Sequence, residues 1–283
     1  DGAYVNCPEI LFDGTQYRMW YSGGNNTGSP AQIGYATSLD GIIWEKHMDN
    51  PVLKIGESGK WDDRYIREPV VLTDGSTWKM WYEGVNVLTG SHQIGFATSQ
   101  DGISWLKFDG NPILNPGPPG SWDAQGVNGP YVILKQDEYH MWYYNSERVG
   151  SIGYATSNDG FTWTKLSGNP ILTPDDDFFL NYSQLRSPSV IEIFGDYNMW
   201  VQYYYCAASS AIRQTVIHHK TSPDGINWVS GSASFPNEFS PFSSYYCPAV
   251  ILHNNLVKMW YTTEQKIFYA EAPLIFGNEQ QSR

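Results

Sequence analysis

The sequence predicts an all-β fold, a five-bladed β-propeller, and three observations lead to it. A block of about sixty residues recurs five times in the 283-residue chain, and each copy begins an apolar run with a proline: Pro8, Pro69, Pro130, Pro188 and Pro248. About a dozen residues later each copy has a Met-Trp pair, which ends at Trp20, Trp81, Trp142, Trp200 and Trp260. Aromatic residues make up 16% of the chain, a composition that favours strands over helices. A fixed period marks a repeat architecture, and four-stranded sheets repeated radially form a propeller.

Each unit is predicted to contain four short strands. In the first unit these cover residues 8–12, 17–22, 32–38 and 42–46, with Asp13-Gly14 and Asp40-Gly41 in the turns between them. Asp-Gly between apolar runs is a strong hairpin signal, and a proline is tolerated as the first residue of a strand. The fifth unit lacks a clear fourth strand, because only residues 272–276 and a polar tail follow its third strand. Its outer strand is therefore expected to be short or to be supplied by another segment.

The chain is predicted to form one domain, residues 1–283. No Pro/Ser/Gly-rich linker separates the units, and an open array of sheets would leave long unpaired edges. We therefore expect a contact between the first and last blades that closes the ring. The Met-Trp pairs and the Asp-Gly-x-x-Trp phrases are expected to pack blades together, since a catalytic feature would not be needed in nearly every blade.

The charge of the chain argues against several classes of partner. Its formal net charge is −12, so it lacks the basic surface that binds nucleic acid or anionic lipid. No stretch approaches the roughly 20 apolar residues of a membrane span. No signal peptide is visible, as is also true of a mature secreted protein. We expect a secreted or periplasmic monomer.

Three cysteines leave two interpretations open. Cys7 and Cys247 stand one residue before the first and last prolines, at the same repeat position. In a closed ring these units are neighbours, so a disulfide is conceivable if the Cα atoms lie about 4.4–6.8 Å apart. The interpretation favoured from sequence is a pair of small buried thiols near the axis. Cys206 is unpaired in both.

Function on a repeat scaffold is expected where the repeats differ. The residues before each proline and those after the second strand are predicted to open onto one face around the axis, where strand-end loops commonly bind ligands. The pocket is expected to be lined by the following residues: Asn6, Arg67, Glu68, Asn128, Arg186 and Tyr246. Trp61 and Trp122, in loops that lead into the next blade, are also expected to contact substrate. Carboxylates, arginines, amides and aromatics together are typical of sugar recognition.

These motifs resemble those of the five-bladed glycoside hydrolases of families 43 and 32, with families 62, 117 and 130 as relatives. The architectural resemblance covers essentially the whole chain. Arg67-Glu68-Pro69 is similar to the Arg-Asp-Pro phrase of family 32, with Glu in place of Asp. The resemblance also implies carboxylates at two further positions, a base before the first-blade proline and an acid two residues before the third-blade proline. Here those positions hold Cys7 and Asn128.

Glycoside hydrolysis normally needs two carboxyl groups about 5–9.5 Å apart. Glu68 and Glu83 are the candidate catalytic residues. Cationic neighbours are expected to keep Glu68 ionised in an orienting, base or stabilising role, which leaves Glu83 as the proton donor. Four other acids are reserve candidates: Asp62, Asp123, Glu147 and Glu264. Without catalytic roles, Glu68 would pair structurally with Arg67 or Arg186, and Glu83 would be a solvated loop acid.

The leading functional hypothesis is a glycoside hydrolase-like enzyme acting on a plant or algal polysaccharide or its oligosaccharides. Arg67 and Arg186 facing one axis suggest an anionic sugar, because guanidinium groups bind carboxylate or sulfate bidentately. The alternatives are a propeller that binds glycan without catalysis and an enzyme of unrelated chemistry on the same scaffold. No catalytic metal or cofactor is expected. A structural Ca²⁺ at Asp175–Asp177 is conceivable, although an acidic loop explains that run as well.

Overall fold

The chain forms five antiparallel sheets arranged in a ring, which confirms the predicted five-bladed propeller. The computed structural model describes residues 4–24, 30–145, 149–174, 180–207, 213–231, 246–263 and 266–274, and in this part of the chain all regular structure is strand. The innermost strands of successive blades contact one another in a closed cycle, from the first blade to the fifth and back to the first. No helix among the described residues is long and apolar enough to cross a membrane.

Four of the five sheets run outward from an inner strand at the axis to a short outer strand. Blade 1 contains β1 (Tyr4–Phe12), β2 (Tyr17–Gly24), β3 (Gln32–Ser38) and β4 (Glu45–Lys46). Blade 2 contains β5 (Tyr65–Thr73), β6 (Trp78–Val85), β7 (His92–Ser99) and β8 (Trp105–Lys107). Blade 3 contains β9 (Val127–Lys135), β10 (Glu138–Asn145), β12 (Ile152–Ser157) and β13 (Thr164–Lys165).

The last two blades depart from this pattern. Blade 4 contains β14 (Leu180–Ile193), β15 (Asp196–Ala207), β16 (Arg213–Ser222) and β17 (Val229–Ser230), and its inner strand also pairs in parallel with the two-residue β11 (Val149–Gly150). Within the described residues blade 5 has three strands, β18 (Tyr246–His253), β19 (Leu256–Thr263) and β20 (Lys266–Pro273). The sequence predicted that the outer strand here is short or supplied by another segment, and residues 275–283, which follow this blade, lie outside the described residues.

The repeated Met-Trp and Asp-Gly motifs are joined by hydrogen bonds. The carbonyl oxygen of Gly225 accepts hydrogen bonds from two indoles. Trp142, in the neighbouring blade, donates its N–H at 2.9 Å, and Trp228, in the same turn as Gly225, donates at 3.1 Å. Three further glycine carbonyls accept two indoles in the same way: Gly41, Gly102 and Gly160. Each such carbonyl joins two blades through a buried tryptophan of a Met-Trp pair. The predicted role of these motifs in packing blades together is therefore correct.

Ring closure uses one of these indole bonds and a covalent link. The indole of Trp260 in blade 5 donates to the carbonyl of Gly41 in blade 1 at 2.7 Å. Cys7 and Cys247 form a disulfide, with an S–S distance of 2.13 Å and a Cα–Cα distance of 4.7 Å. The favoured expectation of two unbonded thiols is wrong, because the closed ring brings the first and last inner strands side by side at these residues.

A bulge interrupts every inner strand at its proline, a feature that the sequence did not reveal. The residue before each proline has a positive φ between 45° and 51°: Cys7, Glu68, Gly129, Ser187 and Cys247. Strand pairing shifts register across the same position in all five blades. An L residue before proline rarely takes this conformation, and bulges of this kind re-aim side chains. Here the five pre-proline residues form a ring around the axis.

Candidate active site

A cavity of about 240 Å³ opens on the axis above the pre-proline ring, where the inner strands begin. Of the six residues that the sequence placed there, five line it: Asn6, Arg67, Glu68, Arg186 and Tyr246. The lining is completed by Cys7, Tyr144, Ser187, Gln202, Cys247 and Thr262. Among these described residues Glu68 supplies the one carboxyl group, and Arg67 and Arg186 supply two guanidinium groups. The cavity thus combines one acid with two permanent cations and neutral hydrogen-bonding groups.

Every blade contributes to the cavity wall through one cross-strand pair, of which at least one residue lines the cavity. The residue two before each proline lies opposite a residue of the second strand, which gives Asn6–Ser22, Arg67–Glu83, Asn128–Tyr144, Arg186–Gln202 and Tyr246–Thr262. Cross-strand neighbours of this kind are close enough for their side chains to interact. The backbone framework is the same in all blades, so the chemistry of the wall depends on the members of these pairs that line the cavity: Asn6, Arg67, Tyr144, Arg186, Gln202, Tyr246 and Thr262.

Glu68, in blade 2, is held by hydrogen bonds from blades 3 and 4. Tyr144 donates to its Oε1 at 2.8 Å, Ser187 donates to its Oε2 at 3.1 Å, and the nearest guanidinium nitrogen of Arg67 lies 3.7 Å from Oε1. Burial, and next the negative charge of Glu83, raise the pKa of Glu68, and Arg67 with the two hydroxyl donors offsets this only in part. This direction of the pKa shift is opposite to the one expected from cationic neighbours.

Glu83 lies behind Arg67, away from the cavity lining. Its Oε1 accepts Nη2 of Arg67 at 2.9 Å, Nε of Arg67 at 3.0 Å and the His92 ring at 2.7 Å, and its side chain is fully buried. Burial by itself would raise the pKa of Glu83, but Arg67 and His92 outweigh it, so the pKa is lowered. Glu83 is thus an ionised carboxylate that fixes Arg67, and the arrangement does not support its predicted role as proton donor.

Three other predicted contacts lie elsewhere. Asn128 is 1% exposed and donates to the backbone carbonyl of Tyr144 at 3.1 Å, below the cavity wall. The indole of Trp61 packs on Gly84 and Gly95, and that of Trp122 packs on Gly153. These glycines leave bare backbone where any side chain would collide with the indole, so both tryptophans turn onto the sheets and do not line the axial cavity.

The reserve acids have structural partners or fall outside the described residues. Asp62 pairs with Lys107 and Asp123 pairs with Lys165, each at 2.5 Å, and both carboxylates are buried. Glu147, Glu264 and the Asp175–Asp177 run lie outside the described residues, and the described residues contain no group of three or more candidate metal ligands. Trp61 and Asp62 do line a second, larger groove of about 550 Å³ on the flank of blade 2.

Sequence reasoning missed the hydroxyl and amide groups around Glu68. Tyr144, Ser187, Gln202 and Thr262 all line the cavity. The repeats do mark these positions. Tyr144, Gln202 and Thr262 each lie opposite a residue that was predicted to line the pocket, and Ser187 directly precedes Pro188. The sequence does not give the strand register, which decides which residue of the second strand faces which residue of the first.

Two proteins of Mycobacterium tuberculosis are similar to this chain in sequence. No family model matches the chain. It is 31% identical over 175 residues to uncharacterized protein Rv1502 of Mycobacterium tuberculosis, a match that covers 59% of the chain and 56% of that protein. It is also 28% identical over 239 residues to uncharacterized protein MT1551 of the same species, covering 80% of the chain and 75% of that protein. The chain thus spans little more than half the length of the first of these relatives.

Several solved structures with the same fold are described as glycoside hydrolases. One described simply as a glycoside hydrolase superposes with a TM-score of 0.76 at 19% identity, over 99% of this protein and 90% of that one. Zg3597, a family 117 glycoside hydrolase from the marine bacterium Zobellia galactanivorans, superposes with a TM-score of 0.69 at 15% identity, over 95% of this protein and 83% of that one. A thermostable family-43 glycoside hydrolase gives 0.70 at 15% identity, over 97% and 90%. The protein therefore has the fold of the five-bladed propeller glycoside hydrolases, as the motif resemblance implied.

Proposed function

We propose that the protein is a glycoside hydrolase-like enzyme that cleaves a plant or algal polysaccharide, or its oligosaccharides, in the axial cavity. The observation that carries this proposal is Glu68, a carboxyl group with a raised pKa that faces a cavity lined by hydrogen-bonding groups. A perturbed acid in a cleft is a recognised mark of a catalytic site. The propeller fold shared with glycoside hydrolases agrees with this choice.

Glu68 acts as the proton donor in this proposal. It gives its proton to the leaving oxygen while the glycosidic C–O bond breaks. A water molecule then adds its hydroxyl to the anomeric carbon and returns its remaining proton to the carboxylate. Tyr144 and Ser187 orient the carboxyl through their hydrogen bonds to its two oxygens. Glu83 is a positioning residue that acts through Arg67.

Non-catalytic glycan binding is the second candidate, and one observation favours it. Glycosidases usually place two carboxyl groups about 5–9.5 Å apart, whereas the described cavity lining contains Glu68 alone. The same cavity would then hold a sugar without cleaving it.

We further propose that the protein is secreted or periplasmic and monomeric. The Cys7–Cys247 disulfide supports this location, since such bonds persist in oxidising compartments.

Activity measurements on wild type and Glu68→Gln test the proposal. A panel of neutral and acidic plant and algal polysaccharides is screened for released reducing ends. The wild-type rate should fall as pH rises through the raised pKa of Glu68, because only the protonated form donates. Glu68→Gln should lower turnover about 10²-fold or more, whereas Glu45→Gln, at an exposed position of β4, should leave it unchanged. Full activity of Glu68→Gln would refute the site, and binding without release by the wild type would favour the second candidate.

A further inference from the structure

We infer that the saccharide bound in the axial cavity carries a carboxylate, as a uronic acid does, and that Arg186 is the residue that binds it. This inference rests on the proposed function, because it names the chemical class of ligand for the same cavity. It follows from a comparison of two blades in which the same repeat position holds arginine.

In blade 2 the arginine is neutralised within the protein. Arg67 stands two residues before the proline and faces Glu83 across the strand pair. The carboxylate of Glu83 accepts two nitrogens of its guanidinium group, at 2.9 and 3.0 Å. Two N–H groups on one carboxylate form a strong, geometrically fixed pair. Arg67 therefore enters the cavity wall with its charge already balanced.

In blade 4 the corresponding arginine faces a neutral residue. Arg186 also stands two residues before the proline, but its cross-strand neighbour is Gln202. The other contacts of Arg186 are a hydrogen bond to the amide oxygen of Gln184 and the ring of Tyr204, 5.6 Å from its guanidinium carbon. None of these neighbours carries a negative charge. No ion pair joins Arg186 to any carboxylate of the described residues, so none of them balances its charge.

While Glu68 holds its proton, the described residues around the cavity leave one surplus positive charge. Arg67 and Glu83 cancel, Glu68 is neutral while it holds its proton, and Arg186 remains. The whole protein has a formal net charge of −12, so the positive charge is a local property of this cavity. A half-buried cation without a counter-charge is unfavourable, and a bound anion with one negative charge would offset this cost. The neutral residues Asn6, Tyr246 and Thr262 remain to bind sugar hydroxyls.

A carboxylate satisfies these conditions best. Guanidinium presents a planar fork of N–H donors that matches the two oxygens of a carboxylate. A phosphate group carries nearly two negative charges at neutral pH and would exceed the single surplus charge. An acidic sugar supplies both the carboxylate for Arg186 and the hydroxyls for the neutral part of the wall.

Binding of matched sugars tests the inference by calorimetry or ligand-observed NMR. The pairs are D-glucuronate with D-glucose and D-galacturonate with D-galactose, which differ in a carboxylate against a hydroxymethyl group, and inorganic sulfate and phosphate serve as further ligands. Wild type should bind at least one uronate about 10- to 100-fold more tightly than its neutral counterpart, as one charged hydrogen-bonded contact contributes. Arg186→Gln should abolish this preference.

Gln202→Glu provides a second, independent variant. It keeps the arginine but places beside it the carboxylate that blade 2 already has, so the uronate preference should disappear here too. Arg64→Gln is the matched control. It removes an exposed guanidinium that packs on Tyr65 outside the cavity lining, and it should leave the preference unchanged.

Several outcomes would overturn the inference. They are failure of both uronates to bind, equal binding of uronates and neutral sugars, tighter binding of sulfate or phosphate than of either uronate, and a preference that survives both cavity variants. The proposed function fails separately. Cleavage of neutral saccharides with no uronate preference would refute the inference alone, whereas Arg186-dependent uronate binding without cleavage of any substrate would refute the hydrolase and leave the inference standing.

Discussion

Replacing Glu9 with glutamine should make the stability of this protein much less sensitive to pH. Glu9 lies one residue after Pro8 on β1, is 8% exposed, and lines a void of about 30 Å³ beneath the pre-proline ring. The described residues give it no ion pair. Burial raises its pKa to about 8, although a backbone N–H of Val71 lowers it in part. The folded state thus keeps a proton that the unfolded chain releases above about pH 4.5.

The sign and size of the effect follow from this shift. Because the folded state binds the extra proton, Glu9 lowers the free energy of unfolding as pH rises from about 4.5 to about 8. Each pKa unit corresponds to about 1.4 kcal/mol, so the loss by pH 8 is at most about 4–5 kcal/mol. Glutamine keeps the shape without titrating. The difference in unfolding free energy between Glu9→Gln and wild type should therefore grow by about 1.4 kcal/mol per pH unit between pH 5 and 8.

Urea denaturation at pH 5, 6, 7 and 8 measures this difference. Other groups with shifted pKa values, Glu68 among them, are present in both proteins and cancel in the comparison. Glu45→Gln at the exposed β4 serves as the control and should run parallel to wild type across the series. Parallel curves for Glu9→Gln and wild type would show that Glu9 is ionised in the folded state, and the reasoning from its burial would then be wrong.

Two further predictions concern the ring. Replacing both Cys7 and Cys247 with serine should lower the free energy of unfolding by about 2–5 kcal/mol, and reducing agent should destabilise the wild type but not the variant; equal sensitivity of the two would contradict the closing disulfide. Trp142→Phe should cost about 2–4 kcal/mol through the lost volume and the lost bond to the Gly225 carbonyl. A loss under about 0.5 kcal/mol in thermal or chemical unfolding would contradict the role of that indole in joining the blades.

Most of the architecture could be predicted from the sequence because it depends on local sequence features that are repeated in each blade. A proline tolerated at a strand start, an Asp-Gly turn and an aromatic that must be buried each act within a few residues. Five copies of this pattern predicted the number of blades, and the weak signal after residue 271 predicted a short or externally supplied outer strand in blade 5. The same repeats identified five of the cavity-lining residues, since Asn6, Arg67, Glu68, Arg186 and Tyr246 stand at variable positions of an otherwise constant unit.

The chemical state of the site could not be predicted in this way, because it depends on contacts between blades. Arg67 next to Glu68 in sequence suggested an ionised acid, yet the strand register gives that arginine to Glu83. Burial of Glu68 and the charge of Glu83 then raise the pKa of Glu68, against the opposing effect of the donors from blades 3 and 4. Trp61 and Trp122 lie outside the axial cavity for a similar reason, because they pack on the bare backbone of glycines in neighbouring strands.

The sequence by itself determined the all-β class, the five blades, their order and the positions that face the axis, since each follows from periodicity and turn chemistry. Only the tertiary structure decided that Cys7 and Cys247 are bonded, that every pre-proline residue bulges toward the axis, and that Arg186 is left without a counter-charge among the described residues. The physical reason is the same in each case. Electrostatics and covalent closure depend on distances between residues far apart in the chain, and those distances are set only when the ring closes.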